Sequence, residues 1–145
     1  MNHITSVFQN FIDTEDFDCV VEEGEEYAAL PNENRITWAP FCNFDVDRMF
    51  MQYARQLGLQ NKVSFRVLSF LHEVGHIETF EEVSGFDVVV YKVATFLLAK
   101  PLLPALRRNW IYFHLPIERR ATQWAVDYIN ENYDIVRRLM EDLRK

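Results

Sequence analysis

The chain has 145 residues, 49% of them apolar, and a formal net charge of −7. That length suits one domain (1–145) with a core that holds without cross-links. The apolar content excludes general disorder, and the acidic balance excludes a nucleic-acid partner, which calls for a basic face. The two cysteines, Cys19 and Cys42, stand in no CxxC, so a thiolate zinc ribbon is excluded and two reduced thiols of a cytosolic protein are expected. The N-terminus lacks the basic and long apolar regions of a signal peptide. The longest apolar stretch, FDVVVYKVATFLLAKPLLPAL, is broken by Asp87, Lys92, Lys100 and two prolines. It reads as buried core and not as a membrane span. A soluble, cytoplasmic protein with no membrane partner is expected.

In chain order, Ile4, Val7, Phe8, Phe11 and Ile12 keep the spacing of an amphipathic helix. After an acidic break at Asp13–Asp18, three short strands are expected. Val20–Val21 and Tyr27–Leu30 flank a turn at Gly24, and Pro31–Asn34 turns the chain into Arg35–Ala39, which Pro40 ends in a manner suited to a sheet edge. A helix follows from an N-cap at Asp45 to about Leu57, with Gly58 as its stop. Ser64 caps a helix over about 65–78. A very apolar helix spans about 86–99 and closes at Pro101, before the irregular stretch PLLPALRRNWIYFHLP. Pro116 opens the helix IERRATQWAVDYINEN, and a last amphipathic helix carries Tyr133, Val136, Met140 and Leu143. The fold class expected is α+β, with a short, mostly antiparallel sheet packed on one central helix and several further helices.

That central helix holds FLHEVGHIETF. At about 100° per residue, His72 and His76 fall about 40° apart, one turn above the other, so their imidazoles can converge on one ion. Glu73 lies one step round, where a base would take a proton from metal-bound water. Val67, Phe70, Val74 and Ile77 occupy the opposite side, with Leu71 on the flank, so the helix is expected to be buried and its polar groups must find partners. A zinc ion takes a third protein ligand and keeps one open position. Glu118 is a candidate. It stands one turn before Thr122, and Ala121, Ala125 and, on the histidine helix, Gly75 are small enough to let the two helices lie close.

HEVGH followed by ExxAxxxA (Glu118, Ala121, Ala125) resembles the gluzincin metallopeptidases, most of all the small ImmA/IrrE-type and minimal gluzincin proteins. The resemblance covers roughly residues 18–130 in layout. It implies a zincin-like fold, a Zn2+ cofactor, His72, His76 and Glu118 as metal ligands, and Glu73 as general base. The interval between His76 and Glu118 adds an apolar helix and a proline-rich stretch. Rival third ligands are His114 and Glu82 or another carboxylate; Glu82 occupies the final histidine position of the metzincin pattern, where Thr79 replaces the turn glycine.

The function expected is zinc-dependent peptide-bond hydrolysis. Glu73 would pass the water proton to the leaving amine, and His114 or Tyr112 would donate to the developing oxyanion. Arg35–Ala39 is expected to be the sheet edge at which an extended protein or peptide substrate, a regulator among them, adds by backbone pairing. Glu22–Glu23, Glu25–Glu26 and Glu81–Glu82 read as solvated turns. The alternatives are a zincin-fold regulatory or binding module without useful turnover, and a metallohydrolase acting on non-peptide substrates.

Overall fold

A computed structural model describes residues 2–41, 43–100 and 103–145. Cys42 and Pro101, and with them the pairing of the cysteines and the closing of the apolar helix, lie outside the described residues. Among the described residues the order is α1 (His3–Thr14), β1 (Val20–Glu23), β2 (Ala28–Leu30), β3 (Arg35–Trp38), α2 (Phe44–Gln56), α3 (Phe65–Glu78), α4 (Gly85–Leu98), α5 (Ala105–Phe113), α6 (Pro116–Glu131) and α7 (Tyr133–Arg144). The class is α+β. No helix among them is long and apolar enough to cross a membrane.

The sheet is mixed, not mostly antiparallel. Its order is β1-β3-β2, with β3 parallel to β1 and antiparallel to β2. Asn34, at φ 49°, allows the sharp return from β2 into β3. The Gly24–Tyr27 link does not close a tight hairpin. It passes over the end of β3, where the Gly24 amide donates to the Trp38 carbonyl at 2.8 Å and the Thr37 hydroxyl to the Glu26 carbonyl at 2.8 Å. The expected edge, Arg35–Ala39, is therefore the central strand. Its alternation buries Ile36 and Trp38. The outer side of β1 is covered by Gln9 of α1, which accepts from the Val21 amide and donates to the Cys19 carbonyl. β2 is left as the edge beside α3.

α3 lies at the centre of the molecule. Ser64 caps it, accepting from the Val67 amide. Phe70 stacks on Phe8 of α1 at 3.9 Å between ring centroids, and Val67, Leu68, Leu71 and Val74 are buried around it. Each such side chain contributes about 1.5–3 kcal/mol of burial. The Trp38 indole donates to Thr5 at 2.8 Å and ties the sheet to α1. Gly58, at φ 109°, terminates α2 as expected, whereas the N-cap of that helix is Asn43 and not Asp45. Residues Ala105–Phe113, expected to be irregular, form α5, entered from Pro104.

The largest departure is α4. The apolar run expected to be core buries none of its residues fully. The core is already closed by α1, α3, α6 and the sheet, so α4 rests on α5 and α6 with one side outward.

α3 and α6 touch backbone to backbone. A Cβ built on Gly75 would come within 2.5 Å of the Ala121 carbonyl oxygen. Alanine favours an isolated helix over glycine by about 0.5–1 kcal/mol, yet here it must force the helices apart. Gly75→Ala is expected to lower stability by about 1–3 kcal/mol, read from the urea unfolding midpoint. A raised or unchanged midpoint would contradict the close contact.

Candidate metal centre

The close approach of α3 and α6 brings three expected residues together. Nε2 of His72 lies 3.0 Å from one carboxylate oxygen of Glu118, and Nε2 of His76 lies 3.0 Å from the other. The two Nε2 atoms are 3.1 Å apart. Donors bound at about 2.0–2.2 Å in a tetrahedron are about 3.3 Å apart, so the three groups fit a zinc ion with little adjustment. His72, Glu73 and His76 also offer ligand atoms within 4.8 Å of one another.

Hydrogen bonding sets the state of His72. The Thr122 hydroxyl gives its one proton to the Glu118 carbonyl at 3.0 Å. It must then accept from Nδ1 of His72, 2.9 Å away. A neutral His72 therefore presents a lone pair at Nε2, toward the Glu118 carboxylate. Lone pairs facing at this distance repel, so a positive charge, a proton or a metal ion, belongs between them. The Phe50 ring, nearly perpendicular to the imidazole with 5.2 Å between ring centroids, helps to hold its orientation. Thr122 is the residue that sequence reasoning left without a role. Its position one turn after Glu118, on the same face, was the available signal.

Electrostatics agree with a cationic centre. Burial alone would raise the Glu118 carboxyl, but hydrogen bonds and charge from His72 and His76 overcome it and hold the pKa at about 2. Burial disfavours a charged His76, yet its bond to Glu118, with the charges of Glu118 and Glu73, carries it above the ordinary imidazole value. Burial raises the Glu73 carboxyl above its usual range, against the pull of both histidines. A cation held by those histidines would draw it back.

His72, Glu73 and Glu118 face an open cavity of about 640 Å³, bounded by the β1–β2 link, α2, α3, α5 and the start of α6. Glu25 and Glu26 are exposed, as solvated turns should be, but they stand at its rim. Tyr112 and Asn109 line it from α5. The Tyr112 hydroxyl lies 3.1 Å from that of Tyr91 on α4. Burial, with the charge of Glu118, raises its pKa and keeps it protonated. His114 is not brought to the site. Its Nδ1 donates to the Trp110 carbonyl at 2.7 Å, and its ring packs against Trp110 and Tyr53. It is not among the residues that line the cavity. Glu82 is exposed in the short helical turn after α3.

Thr122→Val removes the partner of Nδ1 while keeping shape. It is expected to weaken zinc binding by about 10–100-fold, read by competition with a chromophoric chelator. His72→Ala or His76→Ala should abolish stoichiometric binding. Equal affinity of wild type and Thr122→Val would contradict the hydrogen-bonded orientation of His72. No family model matches the chain, and neither the curated proteins nor the solved structures compared with it show significant similarity.

Proposed function

We propose that the protein is a zinc-dependent peptidase of gluzincin type, with a zincin-like arrangement close to that of the ImmA/IrrE-type enzymes. The observation that carries this reading is the meeting of two imidazoles and a carboxylate from separate helices at 3.0–3.1 Å, beside a buried glutamate that faces an open cleft. His72, His76 and Glu118 would hold the metal. Zinc in such a centre supplies Lewis acidity, polarising a carbonyl and acidifying water.

The chain's own groups do the rest. Glu73 accepts the proton of the attacking water on its carboxylate and returns it to the leaving amine. Its place in the sequence, next to His72 and one turn from His76, keeps it beside the metal ligands and free of their bonds. Of the two candidates to stabilise the oxyanion, His114 and Tyr112, the cleft wall favours Tyr112, a protonated donor. The β2 edge replaces β3 as the place where an extended polypeptide pairs its backbone. It continues through Tyr27 to Glu26 at the cleft rim, and an open trough beside a strand edge suits an extended chain better than a small compact substrate.

Glu73→Gln should bind zinc as the wild type does and lose about 10²–10⁴-fold in kcat on a peptide library. If zinc-loaded wild type and Glu73→Gln are equally inert across that library, the centre belongs to a binding module and the peptidase reading fails. Tyr112→Phe is expected to lower kcat by about 10²–10³-fold with little change in KM. His114→Gln should leave kcat as it is. The reverse pattern would return the donor role to His114.

A further inference from the structure

α4 is the most apolar helix of the chain, and its side chains divide into two faces. Asp87, Tyr91, Ala94 and Leu98 are half-buried toward the body. Phe86, Val89, Val93, Phe96 and Leu97 are exposed. At about 100° per residue these five fall within an arc of about 100°, one continuous stripe. Leu106 and Trp110 of α5 are exposed at similar spacing, following Leu103. Single exposed apolar side chains are ordinary, but a stripe of this kind marks a contact surface.

The charges on the same hairpin are one-sided. Residues 85–113 carry Lys92, Lys100, Arg107 and Arg108 against the single acid Asp87. Asp87 is already matched by Arg120 at 3.3 Å and by the Ser84 amide. Lys92, Lys100 and Arg107 are exposed, and the Lys100 ammonium sits 4.8 Å over the Phe96 ring. In a chain of net charge −7, the negative excess therefore lies wholly outside the hairpin.

We propose that the α4–α5 hairpin docks on the surface of an anionic lipid bilayer. Exposed Phe, Val and Leu flanked by Lys and Arg, with a Trp beside them, is the composition of an element that lies in the membrane interface. α4 has 14 residues, about 21 Å, too short for a hydrocarbon core of about 30 Å. It rests on the surface and does not cross. An isologous pairing of two copies through this stripe would set Lys92, Lys100 and Arg107 against their own kind. Anionic headgroups neutralise them, while the acidic remainder of the chain is repelled and leaves the hairpin leading. The expectation of no membrane partner took this stretch as core as well as too broken to span; α4 buries none of its residues fully.

Sedimentation of the full chain with vesicles tests this without any turnover, so its outcome is separate from the peptidase reading. Binding is expected to phosphatidylcholine vesicles rich in phosphatidylserine, weakening with salt, and not to phosphatidylcholine alone. Lys92→Gln, Lys100→Gln and Arg107→Gln should each weaken it by about fivefold, and the triple variant by on the order of a hundredfold. Val93→Ser with Phe96→Ser should abolish it with the thermal unfolding midpoint unchanged, since both side chains are exposed. No binding, equal binding to both vesicle types, or indifference to these variants would overturn the proposal. So would concentration-dependent dimerisation that the Val93→Ser/Phe96→Ser variant removes, in the absence of lipid binding.

Discussion

The contact between Gly75 and the Ala121 carbonyl sets the geometry on which the rest depends. Gly75 precedes His76 and follows His72 by three residues, and Ala121 follows Glu118 by three. This close approach of α3 and α6 therefore falls within one turn of His72, His76 and Glu118. With a Cβ at position 75 the helices could not come this near, and Glu118 could not reach both imidazoles at 3.0 Å. A glycine inside a helix is unfavourable on propensity alone. Here its use is to admit a neighbouring backbone, and the buried Ala125 continues the same small-residue seam one turn on.

The same packing buries a cluster that hydrophobic forces alone would reject. His72, Glu73 and Glu118 are each less than a tenth exposed. The price of taking such groups out of water is offset only where each finds partners. Thr122 fixes His72 from behind, and His72 and His76 hold Glu118 ionised. Where the lone pairs of His72 and Glu118 meet, a positive charge, a proton or a metal ion, is called for. A divalent cation, as proposed, would supply it and would couple metal binding to stability, since the unfolded chain has no such site. Glu73 stands outside this set of bonds, open to the cleft, which distinguishes it chemically from Glu118 although both are buried carboxylates on neighbouring helices.

What could be read from the sequence was local or carried by strong constraints. Ser64 as a cap, Gly58 as a stop, Pro116 as a first residue and the phase of His72 against His76 follow from backbone chemistry within a few positions. The pairing of Gly75 with Ala121 was legible because only small residues permit such an approach. The order of the strands was not, because β1, β2 and β3 are too short for pattern to choose between a hairpin at Gly24 and a link that passes over β3. The exposure of α4 was not, because apolar composition measures what a segment would gain by burial and not whether the core has room for it. His114 looked like a site residue because it is a good ligand in a suggestive place. α5 forms a helix there and turns its ring against Trp110 and Tyr53. The role of Thr122 depended on which way one hydroxyl points, a matter of tertiary structure.

The hairpin that carries the exposed stripe also forms one wall of the cleft, through Asn109 and Tyr112, so surface docking and access to the centre share a structural element. The candidate metal centre itself lies where α3 meets α6. Anomalous diffraction at the zinc edge from crystals of zinc-loaded protein tests it most directly. A single strong peak is expected between Nε2 of His72, Nε2 of His76 and the Glu118 carboxylate, at about 2.0–2.2 Å from each. A map with no peak there, or with the Glu118 carboxylate turned away from the ion, would contradict it.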